Sequence, residues 1–536
     1  MSVAKHYVNL DALIIREDLY TKPEKSVSPS SKSKGIKITD LTAESFLYHS
    51  LRKPDFQRET ANWEPEKVVD LVESFLKGDF VPSIILWYSE DGKTFVIDGA
   101  HRLSALMAWV HDDYGDNQIS LKFFSNFIPD GQKKVADKTR ALMKSRVGSY
   151  NEIKLALSNS SYSSPKQIKY ARNAGALDFD IQWVEGDPDT AEASFKKINQ
   201  KATLIDPTEF QMIESRRKPN AIAARALIRA GVGHKYWWSL PKDAQSEIEK
   251  IAKEIYDMLF VPPLESPIKT LDLPVAGMGY SAESVKLIFD FFNLVNGTVP
   301  SRSKRVNSIL GDLTPDDTDG VETVKYLKKI HGVISLICSN DKASLGLHPA
   351  VYFYSAAGRY QPTAFLATVG LVIELASDDK FAWFTKHRQI FEEFLVGHRY
   401  FVNQIVAQFG SGLKGNSWVL KFYKAILESI DTGKDNELVA TLVSMKDWRL
   451  KDDISKGGKF STDTKSAIYL RDALNSAIKC SICGARMHRN AMTSDHVERR
   501  QDGGAGHSDN GKLAHPFCNT GYKESLHAAT LAAVAN

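Results

Sequence analysis

Cysteine is scarce in this chain. Four among 536 residues exclude a disulfide-built scaffold. Long apolar runs are missing too. No stretch of about 18 uninterrupted apolar residues occurs, and the greasiest segment, 364–376, has the length of a buried helix. Met1 to Tyr20 is mixed and charged, without the basic start and apolar core of an export signal. The expectation is a cytoplasmic protein with no membrane partner. A charge bias is nearly absent as well: 69 Lys and Arg stand against 65 Asp and Glu, a net charge of +4. That balance permits a nucleic-acid partner without arguing for one. What is present reads as globular. Hydrophobic residues make up 43% and charged residues 25%, which excludes a fully disordered or fibrous chain. The length calls for several domains.

Residues 21–37 (TKPEKSVSPSSKSKGIK) hold nothing that builds a core and read as a linker or surface arm. From Pro65 and Glu66, the apolar positions Val68, Leu71, Val72, Phe75 and Leu76 recur at helical spacing, and Gly78 ends the run. Residues 84–88 and 94–97 read as strands around an Asp91-Gly92 turn. Asp98-Gly99-Ala100-His101-Arg102 then leads into a helix through Leu103, Leu106 and Val110. A strand, a glycine turn and a helix can present backbone N–H groups to an anion. Residues 190–230 are strongly helical, and 245–450 hold amphipathic helices such as 282–294, 324–336 and 391–409. No repeat period supports a solenoid. Residues 301–320 read as a surface connection, and the polar, Gly-Gly-containing 450–465 as a domain boundary. The expected domains are an arm and linker (1–44), a nucleotide-handling domain (45–235), a helical middle (236–455) and a C-terminal domain (466–536).

Three of the four cysteines cluster near the end. Cys480-Ser481-Ile482-Cys483 is followed by His515-Pro516-Phe517-Cys518. Two pairs with this spacing can converge on a tetrahedral Zn2+, and a small domain gains fold stability from it. Gly484 fits the tight turn of a zinc knuckle. Between the pairs lie Asp495-His496, then Gly503-Gly504 and Asn510; Asn519 follows the last cysteine. This order resembles the HNH endonuclease family, the ββα-metal fold. The resemblance covers residues 475–525. It implies that His496 is the general base activating water. It implies further that Asp495 and Asn519 hold one Mg2+ or Mn2+, and that Asn510 fixes the loop and helps orient the histidine. The last motif position is Asn, as in many family members with a knuckle.

The residue types suit that chemistry. A neutral imidazole can take water's proton near pH 7, and a hard divalent cation held by oxygens relieves charge on the phosphate. Arg486, Arg489, Arg499, Arg500 and Lys512 are candidates for backbone phosphates, a contact without sequence readout. His488 and His507 are expected at the surface. The alternative from another class is a zinc-knuckle DNA-binding regulator without catalysis, which would not need Asp495, His496 and Asn519 together.

A second series runs through Asp55-Phe56-Gln57-Arg58, Trp63, the helix to Gly78, Val81-Pro82 and the Asp98–Arg102 turn. Phe195, Asn199, Leu204 and Glu209 extend it as FxxxN…L…E. It resembles the ParB/sulfiredoxin-like domain of modification-dependent (type IV) restriction proteins of the GmrSD and SspE groups. That resemblance spans residues 45–220 and implies a turn that binds or hydrolyses nucleotide. Gly99 permits close approach of phosphate, the following N–H groups attract it, and Arg102 can pair with it. Asp98 can hold a metal or polarise water. Gln57 and Arg58 can reach the same pocket, Asn199 can support it, and His101 is a second candidate base. The family's turn usually reads Asp-Gly-Gln-Gln-Arg, so Ala100-His101 leaves binding without hydrolysis open.

Trp237-Trp238, with His234 and Tyr236, reads as a base-stacking platform or a buried aromatic cluster. Arg216-Arg217-Lys218 reads as a DNA-facing patch or a solvated helix end, and Cys338 as inert core. The resulting expectation is a multidomain α+β chain: a ParB/sulfiredoxin-like α/β domain, a mostly helical middle region and a ββα-metal HNH domain with a zinc knuckle. Its expected function is DNA cleavage in prokaryotic antiphage defence. The expected partners are double-stranded DNA, modified phage DNA among it, and a nucleoside triphosphate. Double-strand cuts by single-site nucleases favour a homo-oligomer.

Overall fold

Pro65 at the first helical position and left-handed Gly78 (φ +82°) after the last bound the helix Pro65–Lys77, as its sequence pattern predicts. This helix packs on a mixed sheet. The computed structural model describes residues 7–20, 33–57, 59–158, 163–202, 207–279, 282–297, 314–451 and 462–524. Arg58, Leu204, the side chains of Asn199 and Glu209, and most of the segments expected as linkers (21–32, 301–313 and 452–461) lie outside the described residues.

The chain folds into two compact units. The first runs through Arg217 and takes back Val232–Ser239; the second holds Lys218–Gly231 and most of the chain from Leu240 on. The sheet of the first unit contains β1 (Ile15–Glu17), β2 (Gly35–Lys37), β3 (Leu51–Pro54), β4 (Ile84–Tyr88), β5 (Thr94–Asp98) and β6 (Asp178–Val184), in the order β1-β3-β5-β4-β6-β2. β4 and β5 form the antiparallel hairpin read from the sequence; β1–β3, β3–β5 and β4–β6 are parallel. Residues on β5 alternate between two cores. Val96 joins Val68, Val72, Leu76, Leu86, Leu103 and Leu106 on one face. Phe95 and Ile97 join Phe56, Trp87, Phe195 and Ile213 on the other. Both faces are covered, so the strand reads as one apolar run.

The second unit is mainly helical, with Lys242–Phe260, Ala282–Asn296, Val321–Cys338, Pro362–Ser377, Phe381–Gly397 and Asn416–Asp431 among its helices. The single helix expected over 391–409 is two. Phe381–Gly397 ends at a glycine, and Tyr400–Phe409 begins after Arg399. Cys338 is buried core, its thiol pushed up to about 12 by burial. No helix among the described residues is long and apolar enough to cross a membrane. After the helix Thr462–Asn475, the chain makes a knuckle and a hairpin of β7 (Thr493–His496) and β8 (Gly511–Ala514).

Candidate active site

The knuckle brings Cys480, Cys483, His515 and Cys518 together. All four are buried, and their ligand atoms lie within 4.8 Å of one another. Cys480 N donates to Ala485 O at 2.8 Å, and Gly484 N to Cys480 O at 2.9 Å, which folds the first pair back on itself. Gly484 adopts φ +70°, and a Cβ there would run into the side chain of Gln389. His515 Nδ1 faces the sulfurs of Cys483 (3.4 Å) and Cys518 (3.8 Å), while Nε2 lies 3.1 Å from Arg486 O, a contact that orients the ring. The crowded sulfurs hold the Cys480 thiol low and push Cys483 up to about 11. Keeping all three as thiolates therefore calls for a compensating cation. Three thiolates and one imidazole at this separation fit Zn2+.

The hairpin shares residues with the knuckle. β7 and β8 are antiparallel, with Asp495 opposite Lys512 and His496 opposite Gly511, and β8 runs directly into His515. The helical turn Cys518–Tyr522 packs back on β7. Asn519 Nδ2 lies 3.3 Å from Thr493 Oγ1 and 3.2 Å from Ser494 O. Lys523 follows on the same helical face. Its Nζ donates to both oxygens of Asp495 (2.7 and 2.9 Å) and to His496 O (2.8 Å). The structure thus brings Asp495, Asn519 and Lys523 to one side of the hairpin. His496 ends the strand, where alternation turns its imidazole away from the Asp495 carboxylate. That imidazole makes no hydrogen bond among the described residues. Asn510 closes the intervening loop: Oδ1 accepts from Glu498 N at 2.7 Å, and Nδ2 donates to Glu498 O and Ala505 O.

A buried network mounts the knuckle on the helix Phe381–Gly397. The Glu392 carboxylate is fully buried and accepts from Arg388 Nε (2.7 Å), Tyr352 Oη (3.0 Å) and Arg486 N (3.0 Å). Arg486 is 2% exposed and donates to Leu474 O and Glu393, so it is not the surface phosphate contact expected of it. His488 is likewise buried rather than exposed. Packing of this helix against the knuckle overrides the polar character of Arg486, and His488 lies with its ring 5.5 Å from that of the buried His348; both contacts are non-local.

In the first unit, Gly99 links β5 to the helix Ala100–His111 in a left-handed conformation (φ +96°), and a Cβ there would run into the side chains of Ile84 and Arg102. Arg102 Nη2 donates to Asp98 Oδ2 (2.7 Å) and Ser83 O (3.0 Å). Gln57 Nε2 donates to Ile97 O at 3.2 Å, and its buried Oε1 has no hydrogen-bond partner among the described residues. His101 stacks on Trp63 at 5.4 Å, with Lys67 Nζ 4.8 Å from the same indole. Asp98, Gly99, His101, Arg102 and Gln57 therefore gather at the end of β5. Trp237 is buried and Trp238 exposed. Arg216 and Arg217 are ion-paired with Glu192 and Asp18.

Residues 480–525 match the family model of the HNH endonuclease, and residues 38–215 that of the GmrSD restriction endonuclease, N-terminal domain. The chain joins a GmrSD-type domain to an HNH endonuclease domain. No curated protein and no solved structure matches it. The HNH domain makes the protein a nuclease of restriction type, with DNA as its substrate. Of the basic residues expected near DNA on this domain, Arg500 and Lys512 are exposed, while Arg489 pairs with Asp272 and Arg499 with Glu524. The sequence reading did not single out Lys523. Its signal was a lysine one helical turn beyond Asn519, a position that matters only once the helix is folded against β7.

Proposed function

We propose that this nuclease cuts DNA at a divalent-metal site on the HNH hairpin, under control of the GmrSD-type domain. The observation that carries the reading is the seat at Asp495, which already attracts a cationic group, the Lys523 ammonium. Asn519 turns its Nδ2 toward β7, leaving Oδ1 as a second oxygen donor. Asp495 and Asn519 would hold Mg2+ or Mn2+, which when bound neutralises charge on the scissile phosphate and the leaving oxygen. His496, with its imidazole unengaged at the strand end, takes the proton from the attacking water. Adjacent residues aimed to opposite sides would let His496 act on the water while Asp495 and Asn519 hold the ion, an arrangement suited to in-line displacement. Asn510 keeps the loop after His496 closed, and Arg500 and Lys512 hold backbone phosphates.

In the first unit, the Asp98–Arg102 turn with Gln57 receives the phosphates of a nucleoside triphosphate. Support for phosphate comes from the left-handed Gly99 and the helix N-terminus behind it, while the unpartnered Gln57 Oε1 is an acceptor for a hydroxyl or N–H group of the nucleotide. Roles for Arg58 and Asn199 toward the nucleotide belong to this proposal, though Arg58 and the Asn199 side chain lie outside the described residues. Nucleotide control restrains a nuclease that would otherwise attack its host. The protein acts in the cytoplasm, against modified or foreign phage DNA. The test is cleavage of matched modified and unmodified phage DNAs with Mg2+ and each nucleoside triphosphate in turn. The reading predicts nucleotide-dependent cutting that differs between the two DNAs. Equal cutting of both, indifferent to nucleotide, contradicts the control.

A further inference from the structure

Arg399 stands between the helices Phe381–Gly397 and Tyr400–Phe409 and is 6% exposed. Its Nε and Nη2 have no hydrogen-bond partner among the described residues. Burial, with the nearby Arg486 charge, pulls its pKa down to about 10, and no described carboxylate offsets them. His488 is 2% exposed, and neither ring nitrogen has a partner among the described residues. Its ring lies 5.5 Å from that of His348, which is 1% exposed and whose Nδ1 accepts from Ala350 N at 3.2 Å. His348 is the hub of the group. Burial first, then His488, Arg399, Arg486 and Arg388, keep it neutral.

Native folds rarely leave buried donors unmatched, and an unpaired buried guanidinium is strongly unfavourable. A metal ion does not suit this group, because arginines surround it. The two carboxylates close to it are engaged elsewhere: Glu392 by Arg388, Tyr352 and Arg486, and Asp272 by Arg489. A small anion suits it. Guanidinium and imidazole N–H groups are its donors, and the N-terminus of the helix Tyr400–Phe409 adds a favourable dipole.

We propose that Arg399, His488 and His348 form a buried site for a phosphate-class anion beneath the nuclease hairpin. His488 lies in the segment that leads from the knuckle into β7, so an occupied site braces the strand carrying Asp495 and His496. The site belongs to the second unit and the N-terminal turn to the first, and the proposal does not depend on the assignment of that turn.

The test uses the full-length, zinc-loaded protein in an Arg102→Ala background, which takes the N-terminal turn out of the measurement. Inorganic phosphate and ATP are titrated separately by calorimetry at constant ionic strength, with thermal melting alongside and chloride as the control. Saturable binding of one phosphate per chain with a raised melting temperature is expected, weakened at least about tenfold by Arg399→Met and by His488→Leu. Phosphate as tight as ATP identifies the free ion as the ligand; much tighter ATP identifies a nucleotide phosphate. Either supports the site. The proposal is overturned if neither ligand saturates, or if binding survives both substitutions unchanged. Circular dichroism and zinc content check folding. Should Arg399→Met fail to fold, Arg399→Lys and His488→Gln take its place with the same criterion.

Discussion

Lys523 and a divalent ion cannot share Asp495, and replacing the lysine measures that competition. Its Nζ bonds both carboxylate oxygens, at 2.7 and 2.9 Å, with the lysine side chain 24% and the aspartate 12% exposed. Two unit charges so close have a raw attraction on the order of 5 kcal/mol at an effective dielectric of about 20. Desolvation, side-chain entropy and solvent screening leave about 1–2 kcal/mol for a partly buried pair. Metal binding must give up this pair in the native protein but not in Lys523→Met. The variant should therefore bind Mn2+ about 5- to 30-fold more tightly. Titration of the zinc-loaded, DNA-free protein, followed by the electron paramagnetic resonance of free Mn2+, reads the change directly. An affinity that stays within about twofold, or weakens, would show that Lys523 does not occupy the cation's place and would remove the main support for Asp495 as a ligand.

The mounting network makes a second expectation. Glu392→Ala leaves the buried Arg388 guanidinium without its carboxylate and should lower stability by about 3–5 kcal/mol in urea unfolding, with Glu392→Gln milder. A loss under about 1 kcal/mol would show that the network does not hold the knuckle. Cys480→Ser should reduce zinc content well below one per chain and loosen the hairpin, because Ser481 N bonds Leu513 O at 3.0 Å and β8 leads into His515. Unchanged zinc stoichiometry would take Cys480 out of the ligand set. In the first unit, burial pushes the Glu73 carboxyl up, but hydrogen bonds from Arg146, Lys77 and Lys166 outweigh it and hold it at about 2, against 4.5 ordinarily. A depressed carboxyl stabilises the fold above its unfolded pKa and loses that contribution as pH falls through its folded value. Stability of this unit should thus drop by about 1–2 kcal/mol between pH 4.5 and 2, the full shift being reduced by the half-exposed partners. Glu73→Gln should flatten that part of the pH profile; an unaltered slope would refute the assignment.

Short-range patterns made much of this readable. The helix Pro65–Lys77, the β4–β5 hairpin and the two ligand pairs of the knuckle rest on local spacing, capping and turn chemistry. The remainder depends on contacts between distant segments. β1 pairs with β3 and β2 with β6, pairings that no local period encodes. Arg486 and His488 are polar residues in a loop, and contacts with distant segments make them interior: the helix Phe381–Gly397 for Arg486, and His348 beside the ring of His488. The break after Gly397 was hidden because amphipathic spacing continues on both sides of it. Lys523 carried no signal until the turn after Cys518 was laid on β7.

In the proposed function, the HNH hairpin cuts DNA with His496 as base and Asp495 and Asn519 as metal ligands. Supercoiled plasmid incubated with Mg2+ or Mn2+ tests it most directly, comparing the native protein with His496→Ala and Asp495→Asn at equal zinc content. Metal-dependent nicking by the native chain, falling at least about 100-fold in both variants, is the predicted result. Nicking by His496→Ala at the native rate would contradict it.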